Sequence, residues 1–404
     1  MLLRFVLVFL VLLVAMVPVS HAQGNPGLLS PSITVNLPSR TIELFSGDSL
    51  VKEFPIAIGK TSTPTPLGTY SIICKEVNPA WYPPDRPGTV VPSGPDNPLG
   101  YRWMGIWKDY GIHGTNAPWS IGAAVSNGCI RMHEEDVEEL FDKVNYGTPV
   151  RITYDRIKIR TNAQGQVTLA VYPDIYGYGS VTIQDIRNKL NAYRLNALVS
   201  DNVLRKLLDD PSDQQTVIAN QFKIKLNGKL IGVRGLIVQG VPYVPLYDVG
   251  KVLNCDVRWD DKTRTARYGA SSIPGIVSGD IAYIPADQLS GLFGGQVSWK
   301  TEENTLNFDK MMVLLNEKPV NIEISKIQGM YALPALKLAE TMGYKAVWNQ
   351  ETKMLTVGEK GKAVTMTVDT IGTEPYIKIT SINEAFGVHV YLNEAAKSIE
   401  LTNL

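Results

Sequence analysis

The sequence predicts a mainly β N-terminal domain with one or two helices, then a helical connector, then an α+β module of repeats. Three observations predict it. Apolar and polar residues alternate through much of residues 31–155, and one amphipathic helical stretch interrupts them. From residue 222 onward, a unit of about 45 residues recurs four times.

The chain of 404 residues opens with "MLLRFVLVFLVLLVAMVPVSHAQ": Arg4, an apolar run to Val19, then small residues at Ser20 and Ala22. That is the pattern of a secretory signal peptide, residues 1–22, cleaved after Ala22. A run of about 20 apolar residues would also serve as a retained membrane anchor. Both readings give an extracytoplasmic protein, secreted or associated with the cell wall.

Residues 31–153 form the first domain. "ITVNLPSRTIELFSGDSLVKEFPIAIG" alternates about turn signals at Pro38-Ser39 and Ser46-Gly47-Asp48, as a hairpin does. "TPTPLGTYSIICKEV" reads as a further strand. "VNPAWYPPDRPGTVVPSGPDNPLG" is so dense in proline and glycine that it must be a long irregular loop, of the kind that covers a substrate. "EEDVEELFDKV" is a helix with Val137, Leu140, Phe141 and Val144 on one face, and its acidic first turn suits the positive end of the helix dipole. "GTPVRITYD" returns as a strand.

Residues 156–221 are expected to be a helical connector of two helices, spaced through Ile186, Leu190 and Tyr193, then Leu204, Leu207 and Leu208. Residues 222–404 divide into repeats at about 222–270, 275–309, 311–358 and 362–403. Each runs strand, short helix, two-stranded ribbon, with Trp259, Trp299, Trp348 and Tyr391 at equivalent places. A unit this small buries too little surface to fold alone, so neighbours should pack together.

Charge is balanced, 39 basic against 39 acidic residues, which gives no electrostatic grip on nucleic acid. Three cysteines, Cys74, Cys129 and Cys255, are too few for a disulfide scaffold. In an exported chain an odd number leaves at least one thiol unpaired. Cys74 and Cys255 fall in different domains and are not expected to pair.

The unpaired thiol draws attention to "HGTNAPWSIGAAVSNGCIRMH", His113 to His133. Cys129 has three readings. As a buried small hydrophobe it would suit "AAVSNGCI". As a zinc ligand with His113, His133 and Glu134 it would lack any short paired-ligand spacing. As a nucleophile it has a Ser-Asn-Gly turn before it, whose amides can face an incoming group, and Arg131 after it to favour a thiolate. His113, at a probable strand end before a glycine turn, is then the better base. His133 sits beside Glu134, Glu135 and Asp136, which favour its protonated form, and reads as a helix-cap residue.

The stretch "GIHGTNAPWSIGAAVSNGCIRM" closely resembles the active-site signature of the L,D-transpeptidase (YkuD-like) catalytic domain, a His-Gly followed by Ser-x-Gly-Cys-x-Arg. The resemblance extends back through "FPIAIGKTSTPTPLGTYSI" and "NPLGYRWM" and covers about residues 31–153. One variation is Asn127, where many members carry histidine. The resemblance implies a β-sandwich-like fold, Cys129 as nucleophile and His113 as general base oriented by the Gly114 carbonyl. It further implies an oxyanion hole of backbone amides around Asn127, Gly128 and Cys129, with Ser126 bracing the turn. Arg131 would support the site or a substrate carboxylate, and Tyr101 and Trp103 would either wall the donor cleft or, as strand aromatics, pack in the core. The implied substrate is a peptidoglycan stem peptide, joined into 3→3 cross-links with release of D-alanine and no cofactor or metal. Acylation by carbapenem-type β-lactams is implied as well. The alternatives are an L,D-carboxypeptidase or D-amino-acid exchange at the same site, or a non-catalytic wall-binding surface protein.

The repeats resemble the copper amine oxidase N-terminal-like domain through "IKLNGKLI" and "VPYVPLYDVGKVLNCDVRWDDKTRTAR". With one histidine, His389, and one cysteine, Cys255, the region offers no metal-ligand cluster. The expected role is an extracellular module for packing or for contact with a cell-wall polymer. The tryptophans are expected in core packing ahead of sugar stacking.

Overall fold

The computed structural model describes residues 28–359 and 362–403. The expected signal peptide, residues 1–22, lies outside the described residues. Among the described residues no helix is long and apolar enough to cross a membrane. The chain divides into two compact units between Asp155 and Arg156, and its elements are mainly β with few helices.

The first unit begins with three consecutive antiparallel strands, β1 (Pro31–Asn36), β2 (Thr41–Ser46) and β3 (Ser49–Pro55). Their alternation buries Ile33 and Val35 from β1 and Ile42 and Leu44 from β2. Next come β4 (Ile58–Gly59), β5 (Gly68–Ser71), β6 (Cys74–Val77), β7 (Arg102–Trp107), β8 (Tyr110–His113), β9 (Ala124–Ser126) and β10 (Ile130–Arg131). Helix α1 (Glu134–Lys143) and strand β11 (Pro149–Thr153) complete the unit. One sheet runs β3-β2-β1-β11-β5, with β11 parallel to β1; a second runs β10-β8-β7-β6, with β10 parallel to β8. A short parallel pair joins β4 to β9.

Helix α1 buries Val137 and Leu140. Its C-terminal carbonyls are capped from β6: Lys75 Nζ donates to the Phe141 and Val144 oxygens at 2.6 Å and sits over the Phe141 ring. A cation there also complements the negative end of the helix dipole. The proline-rich stretch before β7 is an irregular loop, closed on itself by a bridge between Trp81 and Val91.

In the second unit, residues 156–221 differ from the expected connector. Helices Ile183–Asn191 and Asp201–Asp209 are present, but a hairpin of Ile157–Thr161 and Gln166–Val171 precedes them. That hairpin extends the sheet containing Thr216–Leu226 and Lys229–Val238. The physical reason is period-two burial of Ile157 with Ile159, and of Val167, Leu169 and Val171, in one core with Ile186, Leu190 and Leu204.

Beyond it, a strand ending near a helix start, then a short helix, then a hairpin recur four times, with helices Leu246–Val252, Leu289–Phe293, Ala335–Met342 and Ile382–Phe386. These units close in pairs. Strand Thr305–Asp309 returns parallel to Thr216–Leu226, and Ser398–Asn403 returns parallel to Met312–Leu315. Each closure shields sheet edges and encloses a core, one around Phe222 and Phe308 and the other around Leu333 and Leu401. Trp259 and Trp348 pack partly buried against these cores, and Trp299 meets Phe222 edge-on at 4.9 Å. Tyr391 is 62% exposed, so the aromatic places share a register more than a degree of burial.

Candidate active site

Two parallel strands set the geometry. In the pairing of β8 with β10, Ile130 lies opposite Ile112 and Arg131 opposite His113. Both isoleucines are fully buried, and this fixes which residues turn the other way. The Met132 amide donates to the His113 carbonyl at 2.8 Å and locks the end of the pair. Cys129 immediately precedes β10.

The turn before Cys129 is held by one hydroxyl. Ser126, buried at the end of β9, donates through Oγ to the Cys129 carbonyl at 2.6 Å and accepts from the Gly128 amide at 3.0 Å. Gly128 has φ +113°, and a β-carbon there would collide with the Tyr110 ring, so conformation and space both demand glycine. The same turn directs the Gly128 N–H back to Ser126. It is therefore not free for an oxyanion, which corrects the expectation for that amide. The Asn127 and Cys129 amides donate to no protein acceptor among the described residues.

His113 is buried, and its Nδ1 lies 2.7 Å from the Gly114 carbonyl. A carbonyl only accepts, so Nδ1 carries the proton and Nε2 keeps its lone pair. The Trp103 indole stacks on the imidazole with centroids 5.5 Å apart and planes 23° apart. That indole also lies against Gly111, where a β-carbon would meet it at 2.6 Å.

His113 and Cys129 line one cleft of about 790 Å³, with Trp103, Tyr110, Asn127 and Arg131. The proline-rich loop contributes Pro79 to Tyr82, Pro84, Pro98 and Leu99, so it does overhang the cleft. Burial, opposed by the Gly114 hydrogen bond and reinforced by the Arg131 charge, holds the imidazole down to about 4. Burial pushes the Cys129 thiol above its ordinary value, although a main-chain hydrogen bond from the Gly111 side and the Arg131 charge pull it back. At neutral pH both groups are uncharged. The expected help of Arg131 toward a thiolate exists, but desolvation outweighs it. The thiol donates to the Asp109 carbonyl at 3.5 Å. Arg131, half-buried, makes no ion pair or side-chain hydrogen bond to protein among the described residues.

Tyr101 is not a cleft wall. It lies in the turn before β7, where strand alternation does not reach, and it contributes its amide to Glu134. His133 is the N-cap residue of α1 and does not line the cleft. All three cysteines are free thiols.

Asn97 has no place in the expectations from sequence, and Glu134 has a different one from that expected. Asn97, fully buried, donates through Nδ2 to the Pro79 carbonyl at 2.8 Å and accepts from the Leu99 amide at 2.9 Å. The Leu99 carbonyl in turn faces His113 and favours its protonated form. The Glu134 carboxylate accepts from the Tyr101 and Thr115 amides. The signals available were an Asn-Pro turn and glycines at 100 and 114, none of which names a partner.

A cysteine turn braced by serine and an imidazole oriented by a main-chain carbonyl thus share one cleft of a mainly β domain. The family model of the L,D-transpeptidase catalytic domain, YkuD, matches residues 30–152. A Bacillus licheniformis protein named as an L,D-transpeptidase, YkuD, is 45% identical over 130 residues, covering 32% of this chain and 69% of its own length. A Bacillus subtilis protein named likewise, YqjB, is 38% identical over 144 residues, covering 34% and 80%. Among solved structures, L,D-transpeptidase 3 from Mycobacterium tuberculosis in complex with a faropenem-derived adduct is 22% identical with a TM-score of 0.24, over 31% of this chain and 60% of that one. The chain belongs to the L,D-transpeptidase (YkuD) family and is an enzyme of that type.

Proposed function

We propose that the protein forms 3→3 cross-links in peptidoglycan through a thioester on Cys129, outside the cytoplasmic membrane. The observation that carries this reading is the shared cleft of Cys129 and His113, with His113 Nδ1 occupied by Gly114 so that Nε2 is the available base. On substrate binding the thiol proton passes to Nε2 as sulfur attacks the carbonyl of the third stem residue. The Asn127 and Cys129 amides stabilise the oxyanion. The imidazolium then protonates the departing D-alanine nitrogen, and the acyl group remains on sulfur. An amine from a neighbouring stem gives its proton to His113, attacks the thioester and expels Cys129 as the thiol. Arg131, without a protein acceptor among the described residues, is suited to a carboxylate of the donor stem.

The apolar N-terminal run supports export, and the paired repeats, similar in sequence to copper amine oxidase N-terminal-like domains, are assigned to contact with wall polymer. β-Lactams of the carbapenem type would acylate the same sulfur. Water in place of the acceptor amine gives an L,D-carboxypeptidase, and a free D-amino acid gives exchange.

Incubating the protein with disaccharide tetrapeptide and analysing products by mass spectrometry tests the reading. Dimers that have lost one D-alanine are expected. Tripeptide alone would reassign the activity to hydrolysis, and no turnover under reducing conditions would leave a non-catalytic wall-binding protein.

A further inference from the structure

We propose that Glu134 is a positioning residue for His113, acting through the peptide plane between Gly114 and Thr115. This rests on the reading of His113 as the general base.

Glu134 opens α1, so its side chain projects from a rigid element. Its Oε1 accepts from the Thr115 amide at 2.5 Å and its Oε2 from the Tyr101 amide at 3.0 Å. The Thr115 N–H and the Gly114 C=O belong to one planar, rigid amide. One end of that amide is held by the carboxylate and the other accepts from His113 Nδ1. The series therefore runs carboxylate, peptide, imidazole. A negative charge on the N–H side strengthens the carbonyl as an acceptor. In this way an acid orients the base without touching it.

The glycines on either side support the assignment. A β-carbon at Gly100 or at Gly114 would collide with the Glu134 carboxylate. Gly100, at φ +64°, favours glycine by conformation as well. Gly114 is not in the left-handed region, so its own backbone does not demand glycine. The carboxylate does.

The test is Glu134→Gln in the full chain, which keeps the side chain's shape and removes its charge. Acylation by the tetrapeptide donor should lose about 10- to 100-fold in kcat with KM little changed. In histidine-labelled protein, the His113 Nδ1–H resonance should move upfield or broaden. Alkylation of Cys129 at strongly alkaline pH, where the base is not needed, should match wild type. Acylation within about twofold of wild type, or an equal loss of alkaline alkylation, overturns the proposal. Should Glu134→Gln not fold, Gly114→Ala displaces the same peptide plane from the other side and must reproduce the loss; full acylation by it overturns the proposal too. A His113→Ala protein that acylates normally would instead remove the base reading, and this proposal with it.

Discussion

Arg131 stands opposite His113 in the parallel register of β8 and β10. A permanent cation thus faces the imidazole two residues after the thiol, and it favours a neutral imidazole while favouring a thiolate. Burial resolves that tension toward the uncharged pair, and in the proposed mechanism the thiol then loses its proton during acylation rather than before it.

The pH profile should show this. With the imidazole titrating at about 4 in place of 6.5, kcat/KM for acylation should rise as pH passes through that lower value and stay level to neutrality. An acid limb at the ordinary histidine value would contradict a buried, neutral base.

The same shift links folding to pH. The unfolded chain binds a proton on this histidine below about pH 6.5, and the folded one binds it only near 4. Stability from the buried imidazole is therefore complete above the unfolded value and is lost as pH falls through the folded one, about 3 kcal/mol in all. Replacing His113 with Gln should narrow the difference in Tm between neutral and acidic buffer. An unchanged difference would show that the acid sensitivity lies elsewhere.

Removing the Ser126 hydroxyl leaves the Gly128 N–H and the Cys129 carbonyl without their shared partner. Ser126→Ala should cost roughly 1–3 kcal/mol in denaturant unfolding and lower the acylation rate. Wild-type stability and rate together would mean that the turn holds itself.

Asn97→Ala should loosen the loop above the cleft, because its buried amide bonds both the Pro79 carbonyl and the Leu99 amide. Faster proteolytic nicking between residues 79 and 97 is expected, with a higher KM for the donor. Unchanged nicking would assign the loop's order to other contacts.

Much of this architecture was legible in the sequence. Period-two alternation gave β1 and β2, and the Val137 and Leu140 spacing gave α1. The Ser-Asn-Gly turn marked Cys129. The hairpin at 157–171 was hidden by stronger helical spacing after it, which drew the whole interval toward helix. Glu134 was hidden for a different reason. An acidic residue in a helix first turn already has a sufficient local explanation, and only the fold brings Gly100 and Gly114 against its carboxylate.

The central claim is that Cys129 carries the acyl group. Intact-mass measurement of the protein quenched during turnover of a tetrapeptide stem, followed by peptide mapping, tests it most directly. The account predicts an adduct of the stem lacking its terminal D-alanine, located on Cys129 and missing from Cys129→Ala. Release of D-alanine by Cys129→Ala at the wild-type rate would contradict it.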